Sequence, residues 1–183
     1  PYWTIKAPVF SFEKLGLVDI SLGPEMKSTG EVLGMALDYN EALAKALVAS
    51  GSDLNRTGAI LASIAERDKA EALPILRRFA NLGYEFYATR GTAVLLRNEG
   101  ISVHEVAKIG EGLPDVLDRI KQSGLAMVFN TPTRGKTPER TGFAIRRAAV
   151  EYRVPCLTSL DTIRAVLSVL EQKAYGREKP LAL

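Results

Sequence analysis

A chain of 183 residues, 46% hydrophobic and 25% charged, has the balance of a folded globular protein with room for one sizeable domain, or a medium domain with an appendage. No apolar run approaches the roughly 18–20 residues of a membrane helix, and the opening Pro1-Tyr2-Trp3-Thr4-Ile5-Lys6 has neither the basic nor the apolar region of a signal peptide. One cysteine, Cys156, and one histidine, His104, leave no disulfide framework, Cys/His zinc site or histidine-paired nucleophile to propose. A cytoplasmic setting is expected, with no membrane partner and no bound metal or cofactor. Net charge is +3, unevenly spread: residues 1–55 carry four Lys/Arg and seven Asp/Glu, residues 56–183 twenty and fourteen. The step predicts two units with different partners. The basic part prefers an anion, yet no Lys/Arg run resembles a nucleic-acid arm and aromatics are sparse at 7%, so no nucleic-acid partner is expected.

Tyr2 to Lys6 reads as a strand, followed by a Pro8-initiated extended stretch and turn signals at Ser21-Leu22-Gly23-Pro24 and Ser28-Thr29-Gly30. Asn40 is placed to cap a helix from Glu41 to Ala49, and Gly51 to Asn55 ends it. This segment is too small to bury a core alone, and a chain that opens in mid-strand is expected to be a fragment of something longer. From Thr57 the pattern is regular. Strand Ala59 to Ile64 precedes a helix capped by Asp68 and closed by Leu82-Gly83, with Pro74 awkward inside it. Strand Tyr84 to Ala88 and helix Thr92 to Asn98 come next, then strand Ser102 to Val106 and helix Pro114 to Gln122. Strand Leu125 to Phe129 leads into a polar loop, Asn130 to Arg140. Helix Gly142 to Tyr152, strand Val154 to Leu157 and helix Leu160 to Glu171 complete the order. Short apolar strands alternating with helices predict an α/β fold with a parallel sheet flanked by helices on both faces.

Ligands of such sheets sit beyond the carboxyl ends of the strands. Ser63 ends the first regular strand, and Lys69 enters the helix after it. Thr89-Arg90-Gly91-Thr92 follows the second strand, Lys108 and Gly110 the third, Asn130-Thr131-Pro132-Thr133 the fourth and Thr158-Ser159 the fifth. Hydroxyls, lysines and backbone N–H groups at helix starts are the chemistry of a phosphate pocket. Taken singly, Thr92, Thr158 and Ser159 serve equally as helix caps, and Lys69 and Lys108 as solvated surface lysines. No carboxylate is expected on this edge beside a basic partner, as an acid–base enzyme would need. His104 and Cys156 read as structural. A dinucleotide site is excluded, because Ser63 to Asp68 contains no glycine.

Two stretches resemble a known family. Phe10-Ser11-Phe12-Glu13-Lys14 with Leu22-Gly23-Pro24-Glu25-Met26-Lys27-Ser28-Thr29-Gly30-Glu31-Val32-Leu33-Gly34 is similar to the end of the second ATP-grasp half in the large subunit of carbamoyl phosphate synthetase. Ala88-Thr89-Arg90-Gly91-Thr92-Ala93 and Asn130-Thr131-Pro132-Thr133-Arg134-Gly135-Lys136 resemble that subunit's C-terminal allosteric domain, which has the methylglyoxal-synthase-like fold. The resemblance implies residues 1–50 as an ATP-grasp remnant, 51–57 as a linker, 58–175 as the allosteric domain and 176–183 as a flexible tail. It implies a parent ligase that makes carbamoyl phosphate from bicarbonate, glutamine-derived ammonia and two ATP, for pyrimidine and arginine biosynthesis. The ATP and magnesium (or manganese) sites of that parent lie upstream, so this chain alone is expected to make no carbamoyl phosphate. The implied partners are UMP as inhibitor and IMP as activator, the rest of the large subunit, the small glutaminase subunit, and a second copy through this region.

Carried over by position, the nucleotide contacts fall on Ser63, Lys69, Thr89, Gly91, Thr92, Lys108, Asn130, Thr131 and, by choice of its hydroxyl over Pro132, Thr133. Thr158 is similar to a contact of a second effector, ornithine. Ornithine-activated members carry a glutamate where this chain has Ala7, which argues against that effector. Members answering to N-acetylglutamate carry tryptophan where this chain has Lys108, and lysine points to nucleotide control. The alternative, a methylglyoxal synthase acting on dihydroxyacetone phosphate, needs an aspartate where Leu113 stands, with Asp115 two residues on.

Overall fold

The computed structural model describes residues 1–10, 28–52, 58–122, 124–132 and 140–172. They divide into two compact units, one holding 1–10, 28–52 and 164–172, the other 58–163. Most of the ATP-grasp-like motif (residues 11–27), the linker residues 53–57, Thr133 and the tail lie outside the described residues.

In the first unit, strands β1 (Trp3–Val9) and β2 (Gly30–Ala36) pair antiparallel, with Ile5 opposite Gly34. Helix α1 (Tyr39–Ala49) packs so closely on β2 that a Cβ at Gly34 would lie 2.0 Å from the Ala42 carbonyl oxygen. Buried alanines 42, 44 and 46 permit that approach. Just before this helix the sequence shows turn signals at Ser28-Thr29-Gly30, whereas Gly30 opens a strand, held by Thr29 N–H donating to Val9 O at 2.8 Å. Asp38, and not Asn40, caps α1, its carboxylate accepting from Glu41 N at 3.0 Å. Asn40 is buried instead and accepts from Ser168 Oγ at 2.9 Å.

The second unit is an α/β layer structure. Its strands are β3 (Ala59–Ser63), β4 (Glu85–Thr89), β5 (Val103–Val106), β6 (Leu125–Asn130) and β7 (Cys156–Leu157). They form one parallel sheet in the order β5-β4-β3-β6-β7. Central strands β3 and β6 are buried runs, as strands covered on both faces must be. Helices α2 (Lys69–Asn81) and α3 (Arg90–Asn98) pack against one another, and Phe79 of α2 meets Phe129 of β6 with ring centroids 5.1 Å apart. Helices α4 (Val116–Lys121) and α5 (Arg140–Glu151) close a second core, with Val116, Ile120, Ile145 and Ala149 against Leu61 and Val128. The chain leaves β3 toward β4 on one side and β6 toward β7 on the other. The carboxyl ends of β3 and β6, where Ser63 and Asn130 are register partners, are therefore the topological switch point.

Several boundaries differ from expectation for local reasons. A 3-10 turn (Glu66–Asp68) leads into α2, and the Asp68 carboxylate accepts from Arg67 Nε at 3.1 Å and makes no helix cap. Pro74 sits on the exposed side of α2, and the helix runs through it because Ala72, Ile75, Leu76 and Phe79 bury the opposite side. Helix α3 begins two residues before Thr92, since Thr89 is at once the last residue of β4 and the N-cap. The second compact unit has its own C-terminal limit. That unit ends at Ile163, inside helix α6 (Leu160–Glu171), whose remaining turns group with the first unit.

Candidate functional site

Where β3, β4 and β6 end, the second unit encloses a cavity of about 330 Å³. Eight of the residues singled out from the sequence line it: Ser63, Lys69, Thr89, Gly91, Thr92, Lys108, Asn130 and Thr131. Thr158 follows the edge strand β7 and is not among the described lining residues. The wall also contains Glu66, Thr141, Gly142 and Ile145, which no sequence signal singles out.

The hydroxyls have structural work that the sequence does not disclose. Thr92 Oγ1 accepts from Ile64 N at 3.0 Å and Thr131 Oγ1 accepts from Ala65 N at 2.8 Å. Two threonines, one in the first turn of α3 and one just after β6, thus hold the β3–α2 loop in place, and Arg67 adds a third tie by donating to Pro132 O at 2.8 Å. Each hydroxyl still has a proton to donate, because accepting uses only a lone pair. Thr89 Oγ1 donates to Ser63 Oγ at 3.4 Å. Thr92 is not the α3 cap; it lies inside the first turn, and Thr89, the cap residue, makes no side-chain cap bond. The first N–H groups of α3 thus have no side-chain cap, Gly91 and Thr92 of this first turn line the cavity, and the helix dipole adds positive potential there.

Lysine chemistry reinforces it. Lys69 has a side chain only 17% exposed, and its ammonium lies over the first turn of α3, 3.1 Å from where a Cβ on Gly91 would stand. Glycine at 91 leaves room for that ammonium. Lys108 is exposed after β5 and has no ion pair with the described residues. Behind the cavity, Arg146 of α5 is buried and donates from a guanidinium nitrogen to Asn130 Oδ1 at 2.8 Å. A signal for Arg146 exists in the sequence: with Gly142, Ile145 and Ala149 it makes one helical stripe, and an arginine among such neighbours needs a buried acceptor.

The expectation that no carboxylate lies near a base on this edge is corrected. Glu66 Oε2 accepts from Lys69 Nζ at 2.5 Å, because the 3-10 turn brings residues three apart together. Leu113, in contrast, is 86% exposed. The Asp115 carboxylate caps α4, accepting from Leu117 N at 2.8 Å and Asp118 N at 3.0 Å. Neither is among the described residues lining the cavity.

A family model for the MGS-like domain matches residues 71–158. This stretch is an MGS-like domain. The matched span runs from the first turn of α2 through Thr158 and contains six of the eight cavity-lining residues expected from the sequence, Ser63 and Lys69 lying just before it. The five-stranded parallel sheet with helices on both faces is the architecture expected of an MGS-like fold, in agreement with the sequence reading. No helix of the described residues is long and apolar enough to cross a membrane.

Proposed function

We propose that the MGS-like domain is a regulatory module that takes a nucleoside monophosphate, UMP or IMP, by its phosphate. The observation that carries this reading is the meeting, in one cavity, of the α3 N-terminus, the Lys69 ammonium over it, and donors from three further strand ends. A phosphate placed there gains several N–H and O–H donors and two lysine charges, while Glu66 can turn outward to water. Combined with the motif at residues 22–34, the reading extends to the large subunit of a carbamoyl phosphate synthetase. On that reading the remaining large-subunit domains, with their ATP and magnesium, and the glutaminase subunit are its partners in the cytoplasm.

The lyase reading has one observation in its favour, the Glu66 carboxylate in the cavity wall. It is held as the ion-pair partner of Lys69 and is largely solvent-exposed, so the carboxylate is engaged by the lysine and open to water, with no closed setting in which to take a substrate proton. Calorimetric titration of the chain with UMP, IMP, ornithine and inorganic phosphate tests the proposal. Saturable binding of a nucleotide, competed by phosphate, is expected. No heat with either nucleotide, together with methylglyoxal release from dihydroxyacetone phosphate, would reverse the two readings.

A further inference from the structure

Arg146 is only 6% exposed. A charge so placed is tolerated only with partners, and its NH1 donates to Asn130 Oδ1 at 2.8 Å. A guanidinium has donors and no acceptor, so the Asn130 atom that faces it must be the oxygen. The amide cannot be turned over without setting donor against donor. Its NH2 group is left on the other side, and Asn130 itself lines the cavity. Among the described residues none accepts from Asn130 Nδ2, nor is that nitrogen sealed off without a partner. A free asparagine could offer the cavity either an acceptor or a donor, and only the second suits an anion.

We infer that Arg146 is a positioning residue for the anion site: by holding Asn130 Oδ1 it commits the amide to present N–H donors to the ligand. This inference rests on the reading of the cavity as an anion site. It adds that specificity for an acceptor-bearing ligand is set from α5, by a residue that touches no ligand. The buried positive charge behind the amide works in the same direction, polarising its N–H bonds.

A double-mutant cycle tests it, with UMP and inorganic phosphate as probes and thermal melting as the fold control. Arg146→Met should weaken both probes roughly tenfold, Arg146→Lys should restore most of the loss, and Asn130→Ala should weaken them similarly. In the Asn130→Ala background, Arg146→Met should have no further effect, because the arginine acts through the amide. Additive losses would overturn the inference, since a merely structural arginine would act independently of Asn130. Should Arg146→Met fail to fold, Arg146→Gln takes its place in the cycle. The ¹⁵N–¹H signals of the Asn130 side-chain amide, assigned by their loss in Asn130→Asp, give a readout without ligand. They should shift and broaden in Arg146→Met and return in Arg146→Lys. If the parent chain binds neither probe but these signals respond, the site reading falls and the orientation by Arg146 stands. Signals unmoved by Arg146→Met overturn the positioning role itself.

Discussion

Lys108 separates binding from folding most cleanly. It is exposed and has no ion pair with the described residues, yet it lines the cavity beside the α3 N-terminus. Lys108→Ala removes a charge-assisted donor worth about 1.5–3 kcal/mol, so UMP affinity should drop by roughly ten- to a hundredfold in a calorimetric titration. Loss of one surface lysine changes stability by about 0.5 kcal/mol or less, and the ligand-free melting temperature should stay within a few degrees. Unchanged affinity would move the phosphate elsewhere; an unfolded variant would make the lysine structural. At this scale the sequence shows which residues follow each strand, because the end of a strand is a local signal. It hides what they bond to. Thr92 and Thr131 brace Ile64 and Ala65 across 28 and 66 residues, and Arg146 meets Asn130 across 16. Those pairings exist only once the sheet has assembled.

Helix α4 distinguishes a structural carboxylate from a chemical one. Asp115 and Asp118 form a reciprocal capping box, so Asp115→Ala should cost about 0.5–2 kcal/mol of stability, read from a urea midpoint, and leave UMP affinity unchanged. A loss of binding at full stability would instead bring Asp115 into the site. Tyr84, just before β4, contributes a pH dependence of its own. Burial holds its phenol above the usual value of 10.0, and its ring meets Phe79 edge-on at 5.7 Å. The folded state therefore favours the neutral phenol. Its contribution is fully present below pH 10.0, the unfolded value, and is lost as pH rises through the raised folded pKa. Urea midpoints taken on both sides of pH 10 should fall less at the alkaline side for Tyr84→Phe than for the parent. Equal falls would leave the phenol without influence. The elements of the second unit are legible because buried parallel strands are apolar runs and the helices have a 3.6-residue period. Strand β2 is not, since Gly34 serves backbone proximity to α1 and Gly30 opens the strand, and two glycines in seven residues leave no strand-like pattern to read.

Across the molecule, the charge step along the chain puts the positive excess in the part that carries the cavity. A positive excess of this kind favours an anionic ligand and is screened by salt. If Lys69 and Lys108 hold a phosphate at the cavity rim, nucleotide affinity should fall steadily as ionic strength rises from about 0.05 to 0.5 M. Salt-independent binding would mean that the phosphate is not the recognised group. The charge step lies near residue 55, but no sequence signal accompanies the grouping of the later turns of α6 with the first unit. Periodicity within a helix says which side is buried and nothing about which neighbour buries it.

The braces on the β3–α2 loop have a consequence for the order of events in folding. A loop tied at one point to α3 and at another to the end of β6 cannot be ordered before both have arrived, and the second tie closes a long stretch of chain at an entropic cost. A cavity finished by that closure is absent from every earlier species, including the barrier crossed on the way to it. Nucleotide should then bind only the finished product, leaving the refolding rate alone while slowing unfolding in proportion to occupancy. Stopped-flow chevrons with and without UMP would show this as a shift of the unfolding arm alone. A faster refolding arm would mean that the braces form before the barrier.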